Sequence, residues 1–498
     1  MIMGLLMAGS TRIDDFMDEA KRAADEILDT TSSGKKILVV SHMDADGISA
    51  AGIMGKALFR AGADFCVRIE RWMDENVVRE ALLYGGGEAL LVFTDMGSGY
   101  LDILGMNVGN RRIIILDHHQ PIGEPKESFI HVNPHLHGID GAREISSAGI
   151  SYLVAKFMSN SNIDLAHLAI IGALGDLQDK YEDRRLGGVN EIIVSDAVKS
   201  GYISVETDLL FFGRETRPIH KALAYTTGPY IPGISGEEDK SLAFLNSLNI
   251  ELKRNDRWRA LRDLSQEEKR KLFSALHDYL ISQGYRSDVA LSLLGTVYVL
   301  VKEEPWTPLR DAREFALLLN ATGRTGASGL GVAICMGDRG RSYEEALRIL
   351  EEYRQTITKY LRWLGENPER IEEWENIYVL HGEREIDEKV ISTVSTIIST
   401  SLPKPEKPLI AYSLIPNERA IKVSARTNDS IARMGLNLGE IIRVAAERCS
   451  GIGGGHDIAA GAQIPYEQKM MFLKNVNSLV GEYMARLKNI GGKNNVNM

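Results

Sequence analysis

Hydrophobic and polar positions alternate in two different ways along this chain. Over residues 10 to 30, apolar residues recur at helical spacing, which predicts an N-terminal amphipathic helix within residues 1–32. Short apolar runs then predict strands at residues 37–40, 65–69, 89–93 and 113–116, separated by helical patterns. Strands that alternate with helices are typical of a parallel sheet with helices on both faces. We therefore expect an α/β fold.

Acidic and imidazole side chains follow three of these predicted strands. Ligands of such sheets bind beyond the carboxyl ends of the strands, so polar residues at those ends converge in space. The converging residues are His42, Asp44, Asp46, Asp95, Asp117, His118 and His119.

The segment HMDADG at residues 42–47 supports two interpretations. Asp44 and Asp46 stand at the start of a predicted helix, where Asp is a favoured N-cap. Two carboxylates this close also repel each other unless a cation lies between them. Taken alone, the segment does not decide between the two.

Convergence favours a metal site, because helix capping does not explain His42, His118 or His119. Carboxylate and imidazole donors without a thiolate suit Mn²⁺ best, with Mg²⁺ as the alternative. Asp176 follows two glycines in IGALGDLQD, at the end of a predicted apolar helix. Such glycines permit close backbone approach but are also ordinary helix caps, so this segment means little by itself.

The predicted domain boundaries lie where the pattern of apolar residues changes between strand and helix spacing or is interrupted by prolines. Prolines at 403, 405 and 408 precede alternating strands predicted at 409–414 and 420–426. The predicted parts are an N-terminal helix at 1–32, a catalytic domain at 33–340 with a helical insertion at about 214–310, a connecting helix at 341–376, a smaller α/β domain at 377–490 and a disordered tail at 491–498.

Composition narrows the function classes. A length of 498 residues predicts two or three domains. The net charge of −10 argues against non-specific coating of nucleic acid, so any nucleic-acid site must be local. Three widely spaced cysteines form no zinc pattern and fit a reducing, cytoplasmic compartment. The apolar start MIMGLLM is too short to span a membrane, and we expect no membrane association.

The order of four motifs resembles the DHH-superfamily phosphoesterases. The motifs are HMDADG at 42–47, FTDMGSG at 93–99, LDHHQP at 116–121 and GALGDLQD at 172–179. NATGRTGASGLG at 320–331, VSART and GIGGGHDIAAGA resemble RecJ-like exonucleases with a DHH-associated, substrate-binding domain. HVNPHLHGIDG and FGRETRPIHKAL resemble the archaeal branch of RecJ-like proteins, which is related to the eukaryotic helicase co-activator that binds GINS.

This resemblance implies a role for each matching residue. His42, Asp44 and Asp95 would hold one ion, and Asp46, Asp95, His118 and Asp176 the other. His119 would donate a hydrogen bond or proton to the reacting phosphate or support a neighbouring ligand, and Asp117 would orient His118. The implied substrate-binding residues are Asn320, Arg324, Ser424, Arg426, Gly453, Gly454, Gly455 and His456.

The resemblance implies a metal-dependent exonuclease that releases mononucleotides from single-stranded DNA, with RNA as a further substrate. One alternative is a phosphodiesterase of small substrates: short oligonucleotides, cyclic dinucleotides or nucleotide bisphosphates. Another is a replisome scaffold that binds GINS, for which the insertion is the expected surface. A scaffold without activity would lack metal ligands, and here every ligand position is filled.

Overall fold

A computed structural model describes residues 2–226, 229–400, 402–404, 406–416 and 418–494. The chain forms two compact units, Met1–Leu350 and Glu351–Met498. Among the described residues, no helix is long and apolar enough to cross a membrane.

A five-stranded parallel sheet organises the first unit, in the order β2-β1-β3-β4-β5. Its strands are β1 (Ile37–His42), β2 (Phe65–Glu70), β3 (Leu90–Thr94), β4 (Ile113–Leu116) and β5 (Phe129–Val132). The four predicted strands are β1 to β4, so the predicted α/β fold is confirmed; β5 was not predicted.

Helices cover both faces of this sheet. The helices of this part of the chain are α1 (Ile2–Ser32), α2 (Ala45–Ala61), α3 (Glu75–Gly85), α4 (Leu101–Asn107), α5 (Ser147–Met158), α6 (Ala166–Gly175) and α7 (Val189–Lys199). Helices α3 and α4 pack with the sheet around a core that includes Phe93 and Ile115. Helices α2, α5 and α6 pack against one another, and α1 contacts α5 and the edge strand β5.

The predicted insertion is a helical segment with its own hydrophobic core. The strand β6 (Ile203–Leu209) precedes it, and it contains α8 (Ile219–Ala224), α9 (Glu238–Ser247), β7 (Lys253–Arg254), β8 (Arg257–Trp258), α10 (Gln266–Ser282), α11 (Ser287–Leu291) and β9 (Leu294–Leu300). Strands β6 and β9 pair antiparallel at its two ends. Leu223, Leu245 and Leu276 are fully buried in its core.

Three helices follow the insertion: α12 (Ala312–Arg324), α13 (Ser328–Met336) and α14 (Arg341–Glu366). Helix α14 is the predicted connecting helix, but it ends ten residues before the predicted boundary at 376. Asn367 precedes Pro368, and a residue before proline disfavours helical backbone. The chain then enters a strand at residue 371.

A six-stranded mixed sheet organises the second unit, in the order β10-β11-β12-β13-β15-β14. Its elements are β10 (Ile371–Glu373), β11 (Tyr378–Glu383), α15 (Ile391–Ser399), β12 (Leu409–Leu414), β13 (Ala420–Arg426), α16 (Asp429–Arg433), α17 (Leu438–Glu447), β14 (Ile452–Gly455), β15 (Ala459–Pro465) and α18 (Lys469–Asn494). Strands β12 and β13 have the predicted bounds. Helix α18 extends into the predicted tail as far as Asn494, and residues 495–498 of that tail lie outside the described residues.

Candidate metal centre

The loop after β1 places the first two candidate ligands. His42 ends β1, and Asp44 is the N-cap of α2, where its side chain accepts a hydrogen bond from the Gly47 N–H at 3.0 Å. The same carboxylate lies 3.0 Å from His42 Nδ1. Both interpretations of this segment therefore describe Asp44, which caps a helix and belongs to a polar cluster.

Asp95 lies at the centre of the cluster. It follows β3 with φ of 57°, a left-handed conformation that is uncommon outside glycine. Its side-chain oxygens lie 3.4 Å from His42 Nδ1 and 3.5 Å from His118 Nε2. Both oxygens are buried and accept no hydrogen bond from the described residues. Burying a carboxylate that accepts no hydrogen bond is costly, so the arrangement fits a bound cation.

Asp46 is fully buried against the N-terminus of α5. Its two oxygens accept hydrogen bonds from the backbone N–H groups of Ser147 at 2.8 Å and Ala148 at 3.0 Å. A helix N-terminus stabilises an anion through its free N–H groups and its dipole. A Cβ on Gly172 would lie 2.4 Å from Asp46 Oδ1, which explains why glycine stands at that position of α6.

His118 and Asp176 complete this side of the cluster. His118 Nε2 lies 3.1 Å from Asp176 Oδ2 and 3.9 Å from Asp46 Oδ2. The other ring nitrogen, Nδ1, lies 2.6 Å from the carbonyl oxygen of Gly141. Donation of the Nδ1 proton to that carbonyl directs the Nε2 lone pair toward the acidic residues, as metal-binding histidines require.

Among the described residues, the groups of side chains with ligand atoms close enough to hold a metal ion include His42, Asp44 and Asp95, and Asp46, His118 and Asp176. The structure thus brings together all six predicted ligands. The bridging role of Asp95 stays a prediction.

Electrostatics of the cluster favour a bound cation. Burial raises the pKa of Asp46 well above its usual range, and the nearby carboxylates of Asp95 and Asp176 raise it further. Burial also raises the pKa of Asp176, although His118 opposes this shift. Burial lowers the pKa of His42, but Asp44 and Asp95 reverse the direction and raise it overall. A divalent ion would offset this crowding of negative charge.

Asp117 orients His119 rather than His118, which corrects the expected pairing. Asp117 Oδ1 lies 2.7 Å from His119 Nδ1, and Oδ2 accepts a hydrogen bond from the Ser98 N–H at 2.8 Å. His118 cannot take this partner, because its Nδ1 already faces Gly141. The His119 side chain is 37% exposed, the most accessible imidazole of the cluster.

Asn320 and Arg324 lie on α12, which packs against α2 at the turn that carries Asp44 and Asp46. Asn320 Oδ1 accepts a hydrogen bond from the Ala45 N–H at 3.0 Å. A Cβ on Gly323 would lie 1.7 Å from the Met43 carbonyl oxygen, so this contact requires glycine. Arg324 is half-buried at the end of α12. The predicted contacts of Asn320 and Arg324 with substrate stay predictions.

The remaining predicted residues belong to the second unit. Ser424 is buried, with its hydroxyl 2.8 Å from that of Ser395, and Arg426 Nε donates to Thr396 Oγ1 at 2.8 Å. The glycines at 453–455 form β14, and the following His456 carbonyl accepts a hydrogen bond from the Gly439 N–H in α17. Arg426 and Gly455 pair with adjacent residues of β15, so the structure brings these two motifs together. Their substrate-binding role stays a prediction.

Two supporting features were missed in the sequence. The N-terminus of α5, which holds Asp46, is marked by the capping residue Ser146 ahead of an apolar helical run, a recognisable signal. The Gly141 carbonyl, which also accepts a hydrogen bond from the Gln178 side chain at 2.9 Å, carries no such signal because it is a backbone group in a loop.

Comparison with known proteins identifies the family. Residues 36–173 match the DHH family N-terminal domain, residues 211–293 the DHH-CID domain and residues 376–482 the DHHA1 domain. An uncharacterised protein of Methanocaldococcus jannaschii is 32% identical over 454 residues, which cover 90% of this chain and 94% of that protein. The chain belongs to the DHH family. Within this family of phosphoesterases it has a DHH domain, a DHH-CID insertion and a DHHA1 domain in that order.

Solved structures show the same fold at low sequence identity. RecJ from Thermus thermophilus in complex with Mn²⁺ has a TM-score of 0.57 and 18% identity, covering 93% of this DHH-family chain and 55% of the RecJ chain. CDC45 from Entamoeba histolytica has a TM-score of 0.63 and 12% identity, covering 93% of this chain and 99% of that chain. This chain therefore spans about half of the bacterial RecJ and nearly the whole of CDC45.

Proposed function

We propose that this protein is a metal-dependent exonuclease that hydrolyses single-stranded DNA, and RNA as a further substrate, to mononucleotides. The observation that carries the proposal is Asp95, a buried carboxylate that accepts no hydrogen bond from the described residues and lies 3.4 Å from His42 Nδ1 and 3.5 Å from His118 Nε2. The RecJ-like fold supports a phosphodiester substrate. We place the activity in DNA replication or repair and in the cytoplasm.

His42, Asp44 and Asp95 would hold one divalent ion, and Asp46, Asp95, His118 and Asp176 the other, with Mn²⁺ preferred over Mg²⁺. Such ions lower the pKa of a bound water and stabilise the charge that develops on a phosphoryl group.

The chain's own contribution is orientation and proton handling. The α5 N-terminus fixes the Asp46 carboxylate, and Gly141 fixes the ring of His118. Asp117 holds His119 through Nδ1, so Nε2 is the ring atom that would donate a hydrogen bond or a proton to a phosphate oxygen.

We further propose that the insertion at 211–293 is a partner-binding segment, with GINS as the partner. The CDC45-like fold and the insertion's separate hydrophobic core support this. Partner binding and hydrolysis are compatible, since the ligand positions are all filled.

The test is hydrolysis of a substrate panel in Mn²⁺: end-labelled single strands of DNA and RNA, dinucleotides, a cyclic dinucleotide and a nucleotide bisphosphate. Wild type is compared with Asp46→Ala and Asp95→Ala. Asp74→Ala is the control, because Asp74 caps α3 by accepting a hydrogen bond from the Val77 N–H at 2.8 Å and belongs to none of the candidate ligand groups of the described residues.

Mononucleotide release from long strands, lost in both cluster variants and kept in Asp74→Ala, is the expected result. If the protein cleaves only the small substrates, the result would contradict the exonuclease proposal and support a phosphodiesterase of small substrates. If the protein cleaves no substrate of the panel but binds GINS, the result would support a replisome scaffold without nuclease activity.

A further inference from the structure

The segment HVNPH at 131–135 contributes none of the candidate ligands, yet it places three polar side chains beside them. It begins at the end of β5 and continues into a short turn. His131 is 5% exposed and Asn133 is fully buried. A buried polar side chain in a protein is normally hydrogen-bonded, so its partners show what it holds in place.

Asn133 uses both ends of its amide. Its Nδ2 donates to the Ser98 hydroxyl at 2.9 Å and to the carbonyl oxygen of His119 at 2.8 Å. Its Oδ1 accepts a hydrogen bond from the His135 N–H at 2.9 Å. This pattern fixes which end of the amide carries the nitrogen, because one end meets a carbonyl oxygen and the other meets an N–H group.

The side chains of His131 and His135 make further contacts around His118 and His119. His135 Nε2 lies 3.0 Å from the carbonyl oxygen of His118, and His131 Nε2 lies 2.8 Å from the Ser98 hydroxyl. The backbone N–H of Ser98 in turn holds the Asp117 carboxylate that orients the His119 ring. Asn133 therefore links the backbone of His119 to Ser98, and the Ser98 N–H holds the Asp117 carboxylate that orients the His119 ring.

We propose that Asn133 is a positioning residue for His119. By donating to the His119 carbonyl and to Ser98 at once, it holds the backbone and, through Ser98 and Asp117, the ring in one arrangement. The effect on catalysis rests on the proposed function, whereas the effect on the local backbone does not.

The decisive variant is Asn133→Asp, which keeps the shape and the acceptor for His135 but replaces the donor by a carboxylate oxygen. That oxygen would face the His119 carbonyl oxygen, so the hydrogen bond to the His119 backbone is lost, and the contact with Ser98 can persist only with the hydroxyl as donor. If Asn133 only filled space, this nearly isosteric change would leave activity close to wild type.

The matched control is Asn162→Asp. Asn162 is also buried, donates from Nδ2 to the Ala155 carbonyl oxygen at 2.8 Å and accepts from Arg60. It lies beyond the C-terminal end of α5, whereas the cluster contacts the first turn of that helix. Twelve helical residues separate the two ends by about 18 Å.

Two readouts are measured on the full chain: hydrogen exchange of the peptide 116–121 with and without Mn²⁺, and kcat and KM for single-stranded DNA at saturating Mn²⁺. For Asn133→Asp we expect exchange in that peptide to accelerate at least about 10-fold in the metal-free protein, and kcat to fall about 10- to 100-fold with little change in KM. Asn162→Asp should match wild type in both.

If Asn133→Asp does not fold, Ser98→Ala takes its place, because it removes the hydroxyl link but keeps the N–H that holds Asp117. We expect about a 10-fold loss of kcat from this variant. Wild-type exchange and wild-type kcat in the folded variant, or equal losses in Asn162→Asp, would overturn the proposal. If wild type cleaves no substrate, the nuclease proposal fails, while the exchange of peptide 116–121 still decides the role of Asn133.

Discussion

The side chain of Asn320 and the backbone of Ala45 are joined by a 3.0 Å hydrogen bond, in which the Ala45 N–H donates to Asn320 Oδ1. Ala45 lies between the candidate ligands Asp44 and Asp46, so α12 holds the start of α2, which carries both. We expect Asn320→Ala to weaken Mn²⁺ binding about 10- to 100-fold, because residues that support metal ligands have effects of this size. Calorimetric titration with Mn²⁺ measures this; an unchanged affinity with a raised KM would instead give Asn320 the substrate contact implied by the family resemblance.

Asp44 and Asp74 provide a matched pair of helix N-caps. Each accepts a backbone hydrogen bond at the start of its helix, and only Asp44 lies in the cluster. Replacing either with Ala should lower the free energy of unfolding of the metal-free protein by about 1 kcal/mol. Activity should fall by at least about 100-fold in Asp44→Ala alone. Urea unfolding and Mn²⁺-dependent hydrolysis check the pair, and equal activities would remove Asp44 from the site.

Gly172 is expected to be intolerant of a side chain. In Gly172→Ala the new Cβ would lie 2.4 Å from Asp46 Oδ1 and 2.5 Å from the Cβ of Ala148, so α6 or the Asp46 carboxylate must move. We expect activity to fall at least about 10-fold and stability to fall by about 1 to 3 kcal/mol. Gly365→Ala is the control, since a Cβ there meets nothing within 4 Å in helix α14 and should be neutral or slightly stabilising. Similar behaviour of the two variants would contradict the close packing of Gly172.

Mn²⁺ should stabilise the folded protein through Asp95. Ion binding to the folded state alone, at 100 times its dissociation constant, adds about 2.7 kcal/mol, which corresponds to a rise in Tm of about 5 °C. In Asp95→Asn most of this rise should disappear, because the variant removes the charge that faces both ligand groups. Thermal unfolding with Mn²⁺ and with EDTA measures the difference, and an equal rise in both proteins would place the ion elsewhere.

The sequence predicts the framework of this fold because its strands are buried, apolar and short. Strands β1 to β4, β12 and β13 were found within two residues of their bounds. Strand β5 was missed because FIHV follows a loop rich in proline and charge and carries a histidine in its short run. The connecting segment was predicted to reach residue 376, whereas α14 ends at Glu366, two residues before Pro368.

The candidate ligands could be predicted for a similar reason: each follows a strand or ends a helix, and parallel strands bring their carboxyl ends together. The partner of Asp117 could not be predicted, since His118 and His119 are adjacent in sequence and only the position of the Gly141 carbonyl decides which ring faces Asp117. The support from Asn133 was likewise hidden, although it also follows a strand, because β5 itself was missed.

Whether Asp95 holds the ions of a nuclease is decided by the release of mononucleotides from an end-labelled single strand, measured for wild type and Asp95→Asn in Mn²⁺ and in EDTA. We expect release by wild type in Mn²⁺, none in EDTA, and a loss of at least about 100-fold in Asp95→Asn. Equal release by the two proteins, or release that persists in EDTA, would contradict a metal-dependent nuclease centred on Asp95.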